Sequence, residues 1–304
     1  MTIDDVFFFA VYLSQVLLLS FYFPSRVLRR ARALIKAYPP SEYPKLYPVP
    51  RATIERLLRF YRHLNLGLVV LGLALLVAAW RTGYTLDSVL RPGDAYPIKN
   101  PFPFAMTYTA LQALSITLFA YWEIRYFKRM RAAARVRTAE LRARRLFDFV
   151  SPALLGAAAA TYVGATVLVL LLGQQFLMRH QFMVPYLLSV MTLCNIGLAG
   201  CAVWMLYGRK QNPHQTHEDR ARMIRLGWQN MLVASILLSA YVGAMSALFA
   251  FRLVDYTPLA ASLFVQIAVV ISTGTLFVVV SFGQESFEVY KADPNRAAAL
   301  ATNK

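Results

Sequence analysis

Long runs free of charge alternate with short basic stretches along this chain. A helix needs about 20 mostly apolar residues to cross the hydrocarbon of a bilayer. Seven runs reach or approach that length: Val6–Phe23, Leu64–Trp80, Phe104–Trp122, Val150–Leu172, Val184–Tyr207, Met231–Phe251 and Leu259–Phe282. None of them holds Asp, Glu, Lys, Arg or His. The pattern predicts an all-α integral membrane protein, one membrane domain over residues 1–304 with seven transmembrane helices.

Composition agrees. Hydrophobic residues make up 58% of the chain and charged residues 15%, against about 25% charged in soluble domains. The placement of charge then sets a direction, because loops on the cytoplasmic side of a membrane are enriched in Lys and Arg. With the N-terminus outside and the C-terminus inside, 27 of the 32 Lys and Arg fall on the cytoplasmic segments, and so does the whole net charge of +17. This explains the basic balance without nucleic acid. The first run lacks a basic lead-in, carries Asp4 and Asp5 instead, and is followed by Arg26, Arg29, Arg30 and Arg32. It reads as an anchor with its N-terminus outside rather than a cleaved signal. The expected location is the cytoplasmic (inner) membrane.

Organisation follows as one helix plus three hairpins, a 1+2+2+2 repeat. Each returning helix begins near a proline, Pro103, Pro185 or Pro258, which suits a first helical turn. Helices four and six share a tetrapeptide, Tyr162-Val163-Gly164-Ala165 and Tyr241-Val242-Gly243-Ala244. Small residues four apart, Ala160 with Gly164, Ala240 with Ala244 and Gly243 with Ala247, predict that both helices pack inside the bundle. Large aliphatics place helix two nearer lipid. Residues 24–63 read as a cytoplasmic amphipathic stretch leading into an extended strap. Its pairs Tyr38-Pro39, Tyr43-Pro44 and Tyr47-Pro48 force non-helical backbone before each proline. Residues 123–149 lack Gly and Pro and predict a basic helical projection in which helix three runs on and helix four begins early. Residues 81–103 form the external cap loop.

Two places could carry function. Gln15, Gln112, Asn195 and Gln266 lie near the middles of the four inward-running helices, accompanied by Ser14, Ser115, Thr117, Thr192, Ser272 and Thr273. An amide in hydrocarbon must find a hydrogen bond, so this set predicts either a polar midplane ligand site or interhelical fastening. The second place is the basic field Arg125, Lys128, Arg129, Arg131, Arg135, Arg137 and Arg142, expected to meet anionic lipid headgroups or an acidic protein partner.

Other signals add little. His214-x-x-His217 with Glu218 and Asp219 lacks further ligands nearby, and Thr216-x-x-Asp219 fits a capping box for the helix that follows. Glu123-Ile124-Arg125-Tyr126 reads as interfacial charge with its arginine reaching for the headgroups. Cys194 and Cys201 lie seven positions apart in one run, about 10.5 Å along a helix, too far for a disulfide. No phosphate loop, nucleophile elbow or paired carboxylates occur, and no cofactor or metal is implied. The chain therefore reads as a non-enzymatic membrane module that senses or scaffolds through its basic face. A carrier of neutral or zwitterionic molecules is the alternative, with lipid handling third. Membrane lipids, an acidic partner and further copies of the chain are the expected company.

Overall fold

The computed structural model describes residues 3–82, 102–133, 146–173, 182–208, 217–253, 256–279 and 287–291. These residues are almost wholly helical, with no strand among them. Helix α1 (Ile3–Gln15) passes through a π-helical stretch (Val16–Tyr22) into α2 (Phe23–Ala37). Then come α3 (Arg51–Thr82), α4 (Phe102–Ala133), α5 (Pro152–Gly173), α6 (Met183–Val203), α7 (His217–Ala250) and α8 (Thr257–Val279). A π turn (Trp204–Gly208) closes α6, and short 3-10 turns occupy Pro44–Leu46, Leu146–Asp148 and Phe287–Tyr290. Pro103, Pro152, Pro185 and Pro258 all sit in first turns, where the missing N–H leaves no bond unmade.

Five stretches are long and apolar enough to cross a membrane: Asp5–Ala37, Arg51–Thr82, Pro152–Gly173, Met183–Tyr207 and Glu218–Ala250. The third apolar run lies in α4, where Thr107, Tyr108, Thr109, Gln112, Ser115 and Thr117 dilute the apolar character. The seventh lies in α8, of which Thr257–Ser272 is the described apolar part.

The bundle is apolar outside and polar in places within. Val70, Leu171 and Leu193 are each 68% exposed, while Gln15 is fully buried. Apolar surface on this scale belongs against lipid rather than water, which marks a multi-pass membrane protein. Two groups of helices make up the bundle. In the first, the α1–α2 helix packs on α3 and α8, and α4 packs on α3 and α8. In the second, α5, α6 and α7 pack together, with α5 and α7 in the most extensive contact, and α7 also meets α8.

The first group is layered along its axis. Phe8, Val11, Tyr12 and Leu259 form an apolar layer at one end. The glutamines lie in the next layer. Leu28, Leu58 and Tyr61 follow, with Val27, Ile35, Ile54 and Phe119 around them. Tyr43, Met130 and Tyr290 close the tip with Tyr38, Leu46, Tyr126 and Phe287. The pairing of α2 with the start of α3 is therefore antiparallel and continues the bundle beyond the apolar spans. Length allows this. The 32 residues of α3 and of α4 reach about 48 Å each at 1.5 Å per residue, well past a hydrocarbon core of about 30 Å.

Several expectations change on contact with the structure. Residues 38–50 are not an extended strap. Tyr38, Tyr43 and Tyr47 do share the non-helical backbone that a following proline imposes (φ −127, −119 and −115°). Between them, however, the chain folds, with Tyr43 N–H on the Pro39 carbonyl at 3.0 Å and a 3-10 turn at Pro44–Leu46. Helix α4 runs on to Ala133 as expected, but α5 does not begin early. It starts at Pro152, after the 3-10 turn Leu146–Asp148. Residues 134–145 of the projection and 83–101 of the cap loop lie outside the described residues.

The small-residue reading holds for only one of three pairs. Gly243 is buried, and a Cβ there would lie 3.8 Å from Ala165 Cβ on α5. Ala160, Gly164, Ala240 and Ala244 are exposed; α5 instead buries Ala158, Ala165 and Val169. The shared tetrapeptide also parts company. Tyr162 bonds Thr192 on α6 at 2.9 Å and Tyr241 stacks on Phe264 of α8 at 4.4 Å, so each tyrosine meets the next helix. Yet Val163 is 58% exposed and Val242 3%. The match does not repeat an environment.

Candidate functional site: a directed polar chain and a basic tip

The π-helical stretch positions the buried polar residues. In an α-helix, residues five apart lie about 140° from one another at 100° per residue. In a π-helix the hydrogen bond spans five residues, so they share a face. Phe23 N–H bonds the Leu18 carbonyl in this manner. Gln15 and Ser20 consequently turn the same way. Pro24 supplies a local cause, since its ring would clash with the carbonyl four residues back in a straight α-helix.

Gln112 of α4 bridges the two. Its Oε1 accepts from Gln15 Nε2 at 2.7 Å, and its Nε2 donates to Ser20 Oγ at 2.8 Å. The chain extends in both directions. Gln266 Nε2 donates to Ser262 Oγ at 3.2 Å, and Ser262 Oγ donates to Gln15 Oε1. Ser20 Oγ meets Tyr108 OH at 3.3 Å, and Tyr108 donates to the Leu68 carbonyl of α3 at 3.0 Å. Donors and acceptors therefore run one way, from Gln266 through Ser262, Gln15, Gln112, Ser20 and Tyr108 to a backbone carbonyl. The remaining amide atoms are also occupied. Gln15 Nε2 donates to Thr109 Oγ1 at 3.0 Å, Gln266 Nε2 to the Val11 carbonyl at 3.1 Å, and Gln266 Oε1 accepts from Ser14 at 3.0 Å.

Aligned hydrogen bonds in a low dielectric polarise one another and strengthen. The arrangement ties α1, the π stretch, α3, α4 and α8 together. It cannot pass a proton readily, because three of its members are amides. Gly72 makes room for it: a Cβ there would fall 2.4 Å from Tyr108 OH.

Three of the four expected amides thus come together, and the fourth does not. Asn195 Oδ1 accepts from Ser235 Oγ, and its Nδ2 donates to the Met191 carbonyl at 2.9 Å and lies 3.4 Å from Ser239 Oγ. It fastens α6 to α7. Thr192 pairs with Tyr162. Ser115 donates to Asn65 of α3 at 3.1 Å. Thr117 is exposed and bonds its own helix at the Ala113 carbonyl. Ser272 is half-buried on α8, and the Thr273 side chain lies outside the described residues. The sequence reading missed Ser20, Asn65, Tyr108, Ser262 and Ser235.

The basic residues lie at the other end of the first group. Arg125 is exposed and donates to Tyr121 OH at 2.8 Å, with its guanidinium 5.2 Å from that ring centroid. Lys128 and Arg129 are exposed, and Arg131 is half-buried. Arg135, Arg137 and Arg142 lie outside the described residues. Arg29, Arg32, Lys36, Lys45, Arg56, Arg59 and Arg62 add an exposed basic surface on α2, α3 and the turn between them.

The tip beneath them is aromatic. Phe287 stacks on Tyr38 with centroids 4.1 Å apart, and Tyr43 meets Tyr38 edge-on at 5.0 Å. Tyr126 donates to the Leu46 carbonyl. Burial pushes the Tyr126 phenol above its ordinary range, and pushes Tyr47 the same way against the opposing pull of Arg51. The short C-terminal turn Phe287–Tyr290 is thereby clamped between the Tyr-Pro segment and α4.

Helix α7 begins at His217, where capping by Thr216 would start it; Thr216 itself lies outside the described residues. Cys194 and Cys201 are free thiols on the exposed side of α6. Comparison with known proteins adds no assignment: no family model, curated protein or solved structure matches the chain.

Proposed function

We propose that this chain is a seven-span, non-enzymatic scaffold or sensor of the inner membrane, N-terminus outside, acting through its basic cytoplasmic end. One observation carries the reading. Helices α2, α3 and α4 continue beyond the apolar spans as a packed projection, and that projection keeps Arg29, Arg32, Lys36, Arg56, Arg59, Arg62, Lys128 and Arg129 exposed. The buried amides favour the same reading, since their hydrogen bonds are spent on one another. Cations beside the membrane face anionic headgroups, each contributing about 1 kcal/mol near the surface.

A photo-crosslinker at Lys128 in native membranes tests this. The expected outcome is capture of an anionic lipid or one discrete acidic protein, lost on charge reversal at Arg125 and Arg129 while membrane insertion persists. Capture unchanged by the reversal overturns the proposal.

The second reading, a carrier for neutral or zwitterionic molecules, draws on the continuity of the amide chain across four helices. A ligand there would have to replace bonds already made. Uptake into proteoliposomes that ceases with Gln112→Leu would establish it.

A further inference from the structure

On the proposed topology, the far end of the tip stands beyond the reach of lipid headgroups. On the proposed topology, Lys36 lies 13 residues past Phe23 in sequence, about 20 Å along the helix axis. A headgroup layer is about 5–8 Å thick, and mobile ions screen charge within about 8–10 Å. Arg26, Arg29, Arg56, Arg59, Arg62 and Arg129 fall within that reach. Lys36, and Lys45 in the turn beyond it, do not, and Arg32 sits at its limit. The layered contacts that run from Leu28 and Leu58 down to Tyr43 and Met130 hold α2 along α3, standing off the bilayer rather than lying on it.

Among the described residues, the cations at the tip also outnumber the carboxylates beside them. Glu55 is neutralised by Arg51 at 2.7 Å and Glu288 by Lys291 at 2.6 Å. Among the described residues, Arg32, Lys36 and Lys45 remain exposed there, beside the exposed carboxylate of Glu42. Like charges gathered on a rigid support repel one another and attract a partner of opposite sign. Single-stranded nucleic acid would also want exposed rings for stacking. Among the described residues of the tip, Tyr43 and Tyr290 are buried and Tyr38, Tyr126 and Phe287 are half-buried in the clamp.

We infer that the tip formed by the ends of α2 and α4, the start of α3 and the Tyr-Pro turn is a docking platform for a carboxylate-rich segment of a soluble cytoplasmic protein. Arg32, Lys36 and Lys45 would supply the contacts. The inference rests on the cytoplasmic placement proposed above and names the partner class for the distal part of the basic face.

The test uses the full chain in nanodiscs of neutral lipid and a fluorescent poly-glutamate peptide as probe. Saturable binding that weakens with salt is expected. Neutralising Arg32, Lys36 and Lys45 to Gln should weaken it about tenfold or more, the scale of three exposed charge pairs. Neutralising Arg29, Arg59 and Arg62 should change it less than about threefold. All six side chains are exposed, so both triple variants should fold, and single Lys36→Glu gives an independent reading in the same direction. Four results overturn the inference: no binding by the native chain, equal losses in the two triple variants, displacement of the probe by anionic lipid, or tighter binding of a single-stranded oligonucleotide of equal charge. Sided labelling of Lys45→Cys separates this from failure of the underlying reading. Labelling from the outside removes both, whereas cytoplasmic labelling without probe binding removes this inference alone.

Discussion

Gln15 makes contact with two other helices through one side chain, to Thr109 and Gln112 on α4 and to Ser262 on α8, and through Gln112 it is tied back to Ser20 in its own helix. In a membrane, apolar burial does not drive helices together, so hydrogen bonds and close packing do more of that work. Single interhelical bonds contribute about 0.6–2 kcal/mol there. Gln15→Leu should destabilise the folded bundle in detergent by about 1–3 kcal/mol, since it strands buried partners as well as losing bonds. The double variant with Gln112→Leu should cost less than the sum of the singles, because each removes an atom the other leaves unsatisfied. Strict additivity in unfolding measurements would show that the chain is not a unit. The glutamines were legible because an amide stands out in an uncharged run. Ser20 was not: an α-helical period turns it away from Gln15, and only the π stretch brings it round. Asn65 was passed over at the edge of its run, and Ser262 and Tyr108 look like ordinary tolerated residues until a neighbouring helix supplies their partners.

Elements show a similar division between local rules and tertiary ones. The three Tyr-Pro pairs fixed backbone at three residues, and that part was readable. Whether the segment would then extend or fold depended on Met130, Tyr126 and Phe287, which lie far away in sequence and give no local signal. The clamp they form should be alkali-sensitive. An ordinary phenol loses its proton near pH 10. Burial holds Tyr126, and to a lesser extent Tyr47, in the neutral form beyond that. Below about pH 10 both the docked and undocked states keep the proton, and docking is at full strength. Above it the undocked state releases the proton and the docked one does not, so docking weakens steadily as pH rises. Spin labels at Arg56 and Lys291 should report a lengthening distance over that range. Tyr126→Phe combined with Tyr47→Phe should flatten most of the dependence, and an unchanged profile in that variant would rule out these phenols as its source.

For the molecule as a whole, the polar chain bears on how many helices cross the membrane. Among the described residues five stretches are long and apolar enough to cross, and of the apolar runs in α4 and α8 only 107–122 and 259–272 are described with side chains. The residues that dilute α4 include those that bond to α1: Tyr108, Thr109 and Gln112. Gln266 likewise sits in α8 to meet Ser14 and Val11. Partners within hydrogen-bond reach lie at one depth. If Gln15 is at mid-membrane, then Gln112 and Gln266 are as well, and α4 and α8 cross with it. The amides and hydroxyls in these two helices are then partners of buried neighbours rather than a sign of exposure to water. The prediction is concrete. Single cysteines at Lys45, Lys128 and Arg225 should react with a membrane-impermeant maleimide only in inside-out vesicles, and those at Thr82, Phe182 and Arg252 only in right-side-out ones, in a background lacking Cys194 and Cys201. An arrangement in which α4 does not cross would put Thr82 and Lys128 on the same side, so that pair alone decides whether α4 crosses with the hydrogen-bonded glutamines.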